Sequence, residues 1–538
     1  MTRDAMRGYM IGIAAVTISA VSRRACWGVL VGVLPGLLSC SSSSSSASNP
    51  VENRADASLD GGGSTGSLPV VTGPITGGST GKPFTAAPLD LASYGYVEQE
   101  YFFAGTATAY DWVTPPTEDG AWSVKPTTTA TYKTRMLVRR PTDPTKFNGT
   151  VIVEWFNDTG GVDADPEFGF AHVELLRSGF GYVGVSAQAQ GVVGGGPSLS
   201  ALIGVDVQPL VQEDPERYGS LHHPGDDYAY DIYTQAARAL RHPGAVDPLG
   251  GLQPARLIGD GESQSAIRMV TYVNAIHPIE NVFDGFFIHS RFSGGALLNG
   301  FADAGLGGIL AGPSPAHIRG DLTVPVFQFE TETDVPGLTS GLLGQGFVVS
   351  RQPDTARLRT WEVAGTAHAD QYLIDYEEGP DGGDAGDSAA SVIGSCGDIN
   401  SGPQHWVEDT AMNAVQAWTA NGQLPPSGEP FTLTDAGTAI AQDSYGNALG
   451  GVRTAAVDVP IATYSGQPST SAAGGLTCSF FGQTTPFTSM QLATLYSSHD
   501  DYVSKVTTAT AAAQQAGFIL AADAPLIAQE AQSAPVPQ

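Results

Sequence analysis

The chain has 538 residues and sets 54 acidic side chains against 25 basic ones, a formal net charge of -29 at pH 7. Such an acidic surface repels nucleic acid and anionic membranes, and no basic patch interrupts it. With 41% hydrophobic and 15% charged residues the sequence can bury a sizeable core, which excludes a wholly disordered or fibrous chain.

In chain order, the first feature concerns export. Basic Arg23 and Arg24 precede an apolar stretch at 25–34 that is too short for a dedicated membrane-spanning helix. Leu37-Leu38-Ser39-Cys40 then resembles a lipoprotein cleavage site ahead of the serine tract 41–46. This predicts a lipoprotein-type signal peptide over 1–39, lipidation at Cys40, a flexible Ser/Gly-rich tether over 40–85 and one domain over 86–538. A plain secretory signal with an unlipidated cysteine is the alternative, and the extra apolar stretch from Ile11 to Val21 suggests a translation start later than Met1. Either way the protein is expected in the cell envelope, facing periplasm or cell surface, with membrane contact only through a lipid anchor.

Residues 96–103 and 132–138 read as early antiparallel strands, followed by a strand at 150–156. Strands and helices then alternate through 183–185, the apolar run that begins at Arg256, 283–289, 322–329 and 359–363, the pattern of a mostly parallel sheet covered by helices on both faces. The fold class is therefore α/β. Two segments are too long for ordinary connections, 190–224 and 296–318, and are candidate lid or substrate-shaping insertions. The acidic run 375–387 has the oxygen density of a calcium loop without its regular spacing, and a solvated acidic loop explains it as well. Residues 491–527 hold two short amphipathic helical patterns expected to pack as a cap.

Of the four cysteines, Cys26 is expected to be discarded and Cys40 acylated. That leaves Cys396 and Cys478 to form one disulfide in an oxidising compartment. Neither lies near a histidine in a metal-binding spacing, and no cofactor motif is present, so neither metal nor cofactor is expected.

The most informative stretch begins at Arg256. Its apolar run ends in the tight small-residue turn Gly261-Glu262-Ser263-Gln264-Ser265, and a helical pattern follows from Ala266. This is the layout of a nucleophile elbow, in which a strand enters a helix so sharply that the serine hydroxyl is lifted clear of the sheet. Ser265 stands where a second glycine is usual, and an ordinary helix-capping serine is the competing reading of the pentapeptide alone.

Downstream residues favour the elbow. The strand at 322–329 runs into a carboxylate cluster, Glu330, Glu332 and Asp334, and the strand at 359–363 ends near His368. Serine, acid and histidine thus follow one another, each just past the C-terminal end of an apolar strand. Asp334 lies latest in its segment, where the strand has given way to a loop, and is preferred to Glu330 and Glu332 as the acid. His368 is placed to accept the Ser263 proton and return it to a leaving group, with Asp334 fixing the imidazole tautomer. His222, His223 and His405 border polar, Gly/Pro-flanked segments and read as surface or supporting hydrogen-bond groups. The polar segment 400–405 reads either as a substrate contact or as a turn before the helix that begins near Trp406.

A tetrahedral oxyanion needs preorganised donors, and the backbone N–H of Gln264, directly after the serine, supplies one. The second is expected from the loop after the 150–156 strand, at the amide of Asn157 or Asp158, where Gly160 and Gly161 let backbone face a ligand. A merely flexible loop is the alternative for those glycines.

Together with segments 148–155, 174–179, 183–188, 214–219, 331–334 and 364–370, the elbow resembles the α/β-hydrolase superfamily. Within it, the chain is similar to a bacterial "alpha/beta hydrolase domain" group over most of its length from about Gly95. The resemblance implies an α/β-hydrolase fold and an esterase-type serine hydrolase, with a small-molecule or polymeric ester as its partner and no nucleic acid. It leaves open an amidase or thioesterase using the same residues, a non-catalytic surface binding lipoprotein, the acyl-chain length and the oligomeric state.

Overall fold

In the computed structural model, the structure describes residues 68–196, 198–202, 205–299, 312–337, 345–379, 394–434, 437–468 and 475–536. The expected signal peptide, Cys40 and most of the tether lie outside these residues, as do 300–311 of the second insertion and 380–387 of the acidic run.

The strands are β1 (Val70–Thr72), β2 (Tyr96–Trp112), β3 (Val124–Pro141), β4 (Thr150–Trp155), β5 (Gly181–Val185), β6 (Arg256–Glu262), β7 (Gly285–His289), β8 (Val326–Glu330) and β9 (Leu358–Glu362). They form one sheet in the order β1-β2-β3-β5-β4-β6-β7-β8-β9. β1, β2, β3 and β5 pair antiparallel in turn, whereas β5-β4-β6-β7-β8-β9 is parallel throughout. The chain leaves β4 toward one edge through β5 and returns to β4's other side with β6. Between β4 and β6 the strand order therefore reverses, and an open α/β sheet has its crevice at the carboxyl ends of such a pair.

Side-chain alternation along these strands feeds two cores. Val151, Val153 and Trp155 of β4 pack with Tyr230, Tyr233 and Tyr272 on one face, while Ile152 joins Phe168, Phe287, Phe327 and Trp361 on the other. Helices Ala229–Arg241 and Gln264–Thr271 cover the first face; helices Pro166–Arg177 and Gln404–Asn421 cover the second. Because both faces are buried, the parallel strands read as near-continuous apolar runs.

Three differences from the sequence expectations have physical causes. The domain begins earlier than residue 85: Val70 pairs with Ala104, and Arg217 donates to the carbonyls of Gly77 and Ile75. A sheet edge captures a strand through its backbone alone, so the Gly/Thr/Pro composition that resembles a tether did not prevent pairing. The 190–224 insertion is clamped to the sheet, with Arg217 Nε 2.6 Å from Glu100 Oε2 and Val192, Leu210, Tyr218 and Leu221 packed on Phe102. The C-terminal region holds three helices, Ser489–Leu495, His499–Ala516 and Ala524–Ser533, rather than two; Tyr496, Tyr502, Val506 and Ala531 form their shared core. Among the described residues no helix is long and apolar enough to cross a membrane.

Candidate active site

β6 ends at Glu262, and the Gln264–Thr271 helix starts one residue after Ser263. Ser263 sits at φ 58° and ψ -118°, a region that non-glycine residues rarely adopt. Its N–H donates to the carbonyl of His289 at 2.9 Å, which holds the turn against β7. A Cβ at Gly261 would lie 2.9 Å from the backbone of Ser265, so glycine is needed there for the helix to start so abruptly. Ser265, in the position where glycine is usual, is fully buried and donates its hydroxyl to the Phe156 carbonyl at 3.2 Å. It thereby ties the helix start to the β4 exit loop.

Three of the expected side chains meet. His368 Nε2 lies 2.7 Å from Ser263 Oγ, and His368 Nδ1 lies 2.6 Å from Asp334 Oδ1. The other Asp334 oxygen accepts from the Thr331 hydroxyl at 2.6 Å and the Thr331 N–H at 3.1 Å. Burial pushes the Asp334 carboxyl up, but His368, Thr331 and Ser290 more than offset it and hold its pKa below the usual value. For His368 burial disfavours the imidazolium; the Asp334 and Glu262 carboxylates outweigh this and leave its pKa raised.

The competing carboxylates are engaged elsewhere. Glu332 accepts from the Gly365 and Gly466 amides at 2.6 and 3.3 Å, which braces the turn that carries His368. Glu330 is fully buried and makes no hydrogen bond to the relay; burial and the Asp334 charge push its carboxyl well above the usual range, with Arg291 only partly opposing them. His223 bonds the Ala187 carbonyl, His222 bridges to Lys133 through its backbone, and His405 stacks on Tyr372 with ring centroids 3.9 Å apart. Residues 400–403 lead into the Gln404–Asn421 helix, with Asn400 accepting from the Gly402 amide and donating to the Ser465 carbonyl.

At the β4 exit the two amides expected as oxyanion donors differ in their partners. The Asn157 N–H donates to the Ala164 carbonyl at 3.0 Å, so it is committed to the loop's own bridge. Its side-chain amide instead donates to the Glu262 carboxylate at 2.9 Å. Among the described residues the amides of Asp158 and Gln264 have no acceptor. Burial, reinforced by Asp226, pushes the Asp158 carboxyl up to about 8.

Three neighbours of the site had no clear sequence signature. Glu262 lies inside the elbow motif, yet only the fold turns its carboxylate to 3.3 Å from His368 Nε2. Phe292 stacks on His368 with centroids 5.7 Å apart, and Phe480 approaches it at 5.0 Å. With Ile267, Ala296, Leu199 and Leu476 they form an apolar wall drawn from segments far apart in the chain. Cys396 and Cys478 are joined, with Cα atoms 5.2 Å apart, and the Ala369 N–H donates to the Phe480 carbonyl at 3.0 Å. That hydrogen bond ties Phe480 to the turn that bears His368, and the disulfide anchors the neighbouring Cys478.

Such an arrangement can carry out acyl transfer: a hydroxyl on a strained turn, a base in contact with it, an acid behind the base and free amides beside it. Comparison with solved structures finds a candidate dienelactone hydrolase from Klebsiella pneumoniae subsp. pneumoniae MGH 78578, 15% identical over 48% of this chain and 85% of that one, with a TM-score of 0.26. It also finds XC6422 from Xanthomonas campestris, described as an α/β serine hydrolase without a lid, 12% identical over 50% of this chain and 89% of that one, with a TM-score of 0.25. No curated protein matches the chain. Residues 71–529, which include every strand from β2 to β9 and all three members of the hydrogen-bonded relay, match the family described as "Alpha/beta hydrolase domain", and the chain belongs to that family of hydrolases.

Proposed function

We propose that the protein is an exported serine hydrolase that cleaves carboxylic esters through an acyl-enzyme on Ser263. The observation that carries this reading is the continuous relay from Ser263 Oγ through His368 to Asp334, with contacts of 2.7 and 2.6 Å. His368 Nε2 takes the Ser263 proton as Oγ bonds to the ester carbonyl carbon, and the Gln264 and Asp158 amides receive the oxyanion. Collapse breaks the carbon–alkoxy bond, and His368 returns the proton to the departing alcohol. Water then attacks the acyl-enzyme with His368 again as base and releases the acid and the free serine. The apolar wall of Phe292, Phe480 and Ile267 suits the acyl or alcohol portion of an uncharged ester. Export follows from the N-terminal sequence, with lipidation of Cys40 holding the domain at the envelope.

Hydrolysis of nitrophenyl esters graded from acetyl to long acyl chains, beside the Ser263→Ala variant, tests this. Turnover that vanishes in the variant supports the serine mechanism, and the preferred chain length measures the depth of the apolar wall. Equal rates for both proteins, or faster cleavage of matched amides, would overturn the ester reading.

A further inference from the structure

Behind the nucleophile strand, on the face covered by helices Pro166–Arg177 and Gln404–Asn421, lies a group of fully buried acids around one histidine. Glu167 comes from the first turn of one helix, Glu408 from the other, His289 from the end of β7 and Asp260 from β6. His289 Nδ1 is 3.1 Å from Glu167 Oε2 and 3.7 Å from Glu408 Oε2, and one ligand atom from each of the three residues lies within 4.8 Å of the others. The relay around Ser263 uses none of these side chains.

Their bonding is incomplete in one direction. Both oxygens of Glu408, both of Asp260 and Oε1 of Glu167 lack a hydrogen-bond partner among the described residues. Burying carboxylates costs several kcal/mol each unless something compensates the charge. Here the neighbours that act most strongly on Asp260 and Glu408 are other carboxylates, Glu167 and Glu154 among them, which compounds the cost of burial. Phe170 and Phe329 close over His289 with ring centroids 5.3 and 4.8 Å away, so bulk water does not screen the group.

Gln404 adds an independent indication. As placed, its amide nitrogen lies 3.3 Å from His289 Nε2 while Nδ1 bonds Glu167 Oε2 at 3.1 Å, and its own carbonyl oxygen is left without a donor. A half-turn of that amide, which leaves its shape unchanged, lets the carbonyl accept from Nε2–H. His289 Nδ1 then presents a lone pair toward Glu167 and Glu408, the arrangement by which a supporting amide orients a metal-ligating histidine. A lone pair facing two carboxylates is satisfied by a cation between them, or by a proton on one of the carboxyls.

We infer that Glu167, His289 and Glu408 bind a divalent transition-metal cation, with Asp260 as the adjacent carboxylate that completes its surroundings. One imidazole with carboxylate oxygens suits Zn²⁺ or Mn²⁺ better than Ca²⁺, which takes oxygen ligands. The cation fixes His289, whose carbonyl accepts the Ser263 N–H, and so braces the elbow from behind. Its role is structural and does not depend on which bond the enzyme cleaves.

The experiment is metal analysis by mass spectrometry of the full chain purified from medium supplemented with Zn²⁺, Mn²⁺ or Ca²⁺, with melting temperature measured alongside. The expected result is about one Zn²⁺ or Mn²⁺ per chain, a melting temperature that falls on denaturation and refolding with chelator, and loss of the metal in Glu408→Gln and His289→Gln. Glu167→Gln serves if either variant fails to fold. Wild-type protein free of metal from every medium overturns the inference and indicates protons shared among the carboxyls, in which case the uncharged Glu408→Gln melts at or above the wild-type temperature. Retention of Ca²⁺ alone, or equal metal in wild type and all three variants, also overturns it.

Discussion

Glu262 holds Oε1 3.3 Å from His368 Nε2, the same nitrogen that meets Ser263 Oγ at 2.7 Å, while Asn157 donates to its Oε2 at 2.9 Å. A second carboxylate thus faces the proposed base from the side opposite Asp334. Burial raises the Glu262 carboxyl to about 7, and the charge it carries helps lift the His368 pKa above the ordinary value. Since the imidazole must be neutral to take the serine proton, ester turnover should rise as pH climbs through that elevated pKa. Glu262→Gln removes one of the two carboxylates that favour the imidazolium. The acid limb of kcat/KM should therefore move to lower pH in the variant. A pH–rate profile of both proteins checks this, and a limb that stays in place or moves up would show that Glu262 does not act on the base.

Within the relay, Asp334 has a separable role. Asp334→Asn preserves the shape but presents a donor or a weaker acceptor to His368 Nδ1, which favours the wrong tautomer for accepting the Ser263 proton. A drop of about 10³–10⁴-fold in kcat with little change in KM is expected, and Ser263→Ala should lose at least about a thousandfold. Circular dichroism on each variant separates loss of chemistry from loss of fold. Asp334→Asn activity within tenfold of wild type would transfer the acid role to another residue.

How much of this could be read in advance depended on the range of the interactions involved. The elbow from Gly261 to Ser265 is a local turn whose small residues announce it, and Asp334 and His368 each follow an apolar strand, so order along the chain pointed to three side chains that the fold brings into contact. What separates the Asn157 and Asp158 amides is a single backbone bridge to Ala164, which leaves no trace in residue type. Phe292 and Phe480 reach His368 from segments nearly 200 positions apart, and no periodicity links them. β1 was hidden for another reason: edge pairing with β2 uses backbone groups that Val70 and Thr72 share with any sequence.

Ser265 offers a test of the link between the elbow and the β4 exit. Its hydroxyl bond to the Phe156 carbonyl, 3.2 Å long and fully buried, is lost in Ser265→Ala, which should cost about 1 kcal/mol in chemical denaturation. Because Phe156 immediately precedes Asn157 and Asp158, kcat should fall as well if the Asp158 amide receives the oxyanion. Unchanged kcat alongside the stability loss would confine Ser265 to a packing role. Gly261→Ala should be far more damaging, since its Cβ would sit 2.9 Å from Ser265 backbone atoms that cannot withdraw without moving the helix start.

The disulfide connects stability to substrate choice. Cys396 and Cys478 are 82 positions apart, and removing a cross-link over a loop of that size costs about 2–5 kcal/mol. Phe480, two residues beyond Cys478, stands 5.0 Å from the His368 ring, so freeing the bridge loosens one side of the apolar wall. Cys396→Ser should therefore lower the melting temperature and raise KM for long-chain nitrophenyl esters more than for the acetyl ester. Phe480→Ala isolates the second effect, because it leaves the bridge intact while removing the ring. A parallel loss on short and long chains in Phe480→Ala would mean that the ring supports His368 rather than the acyl chain, and the chain-length profile of the two variants decides between these roles.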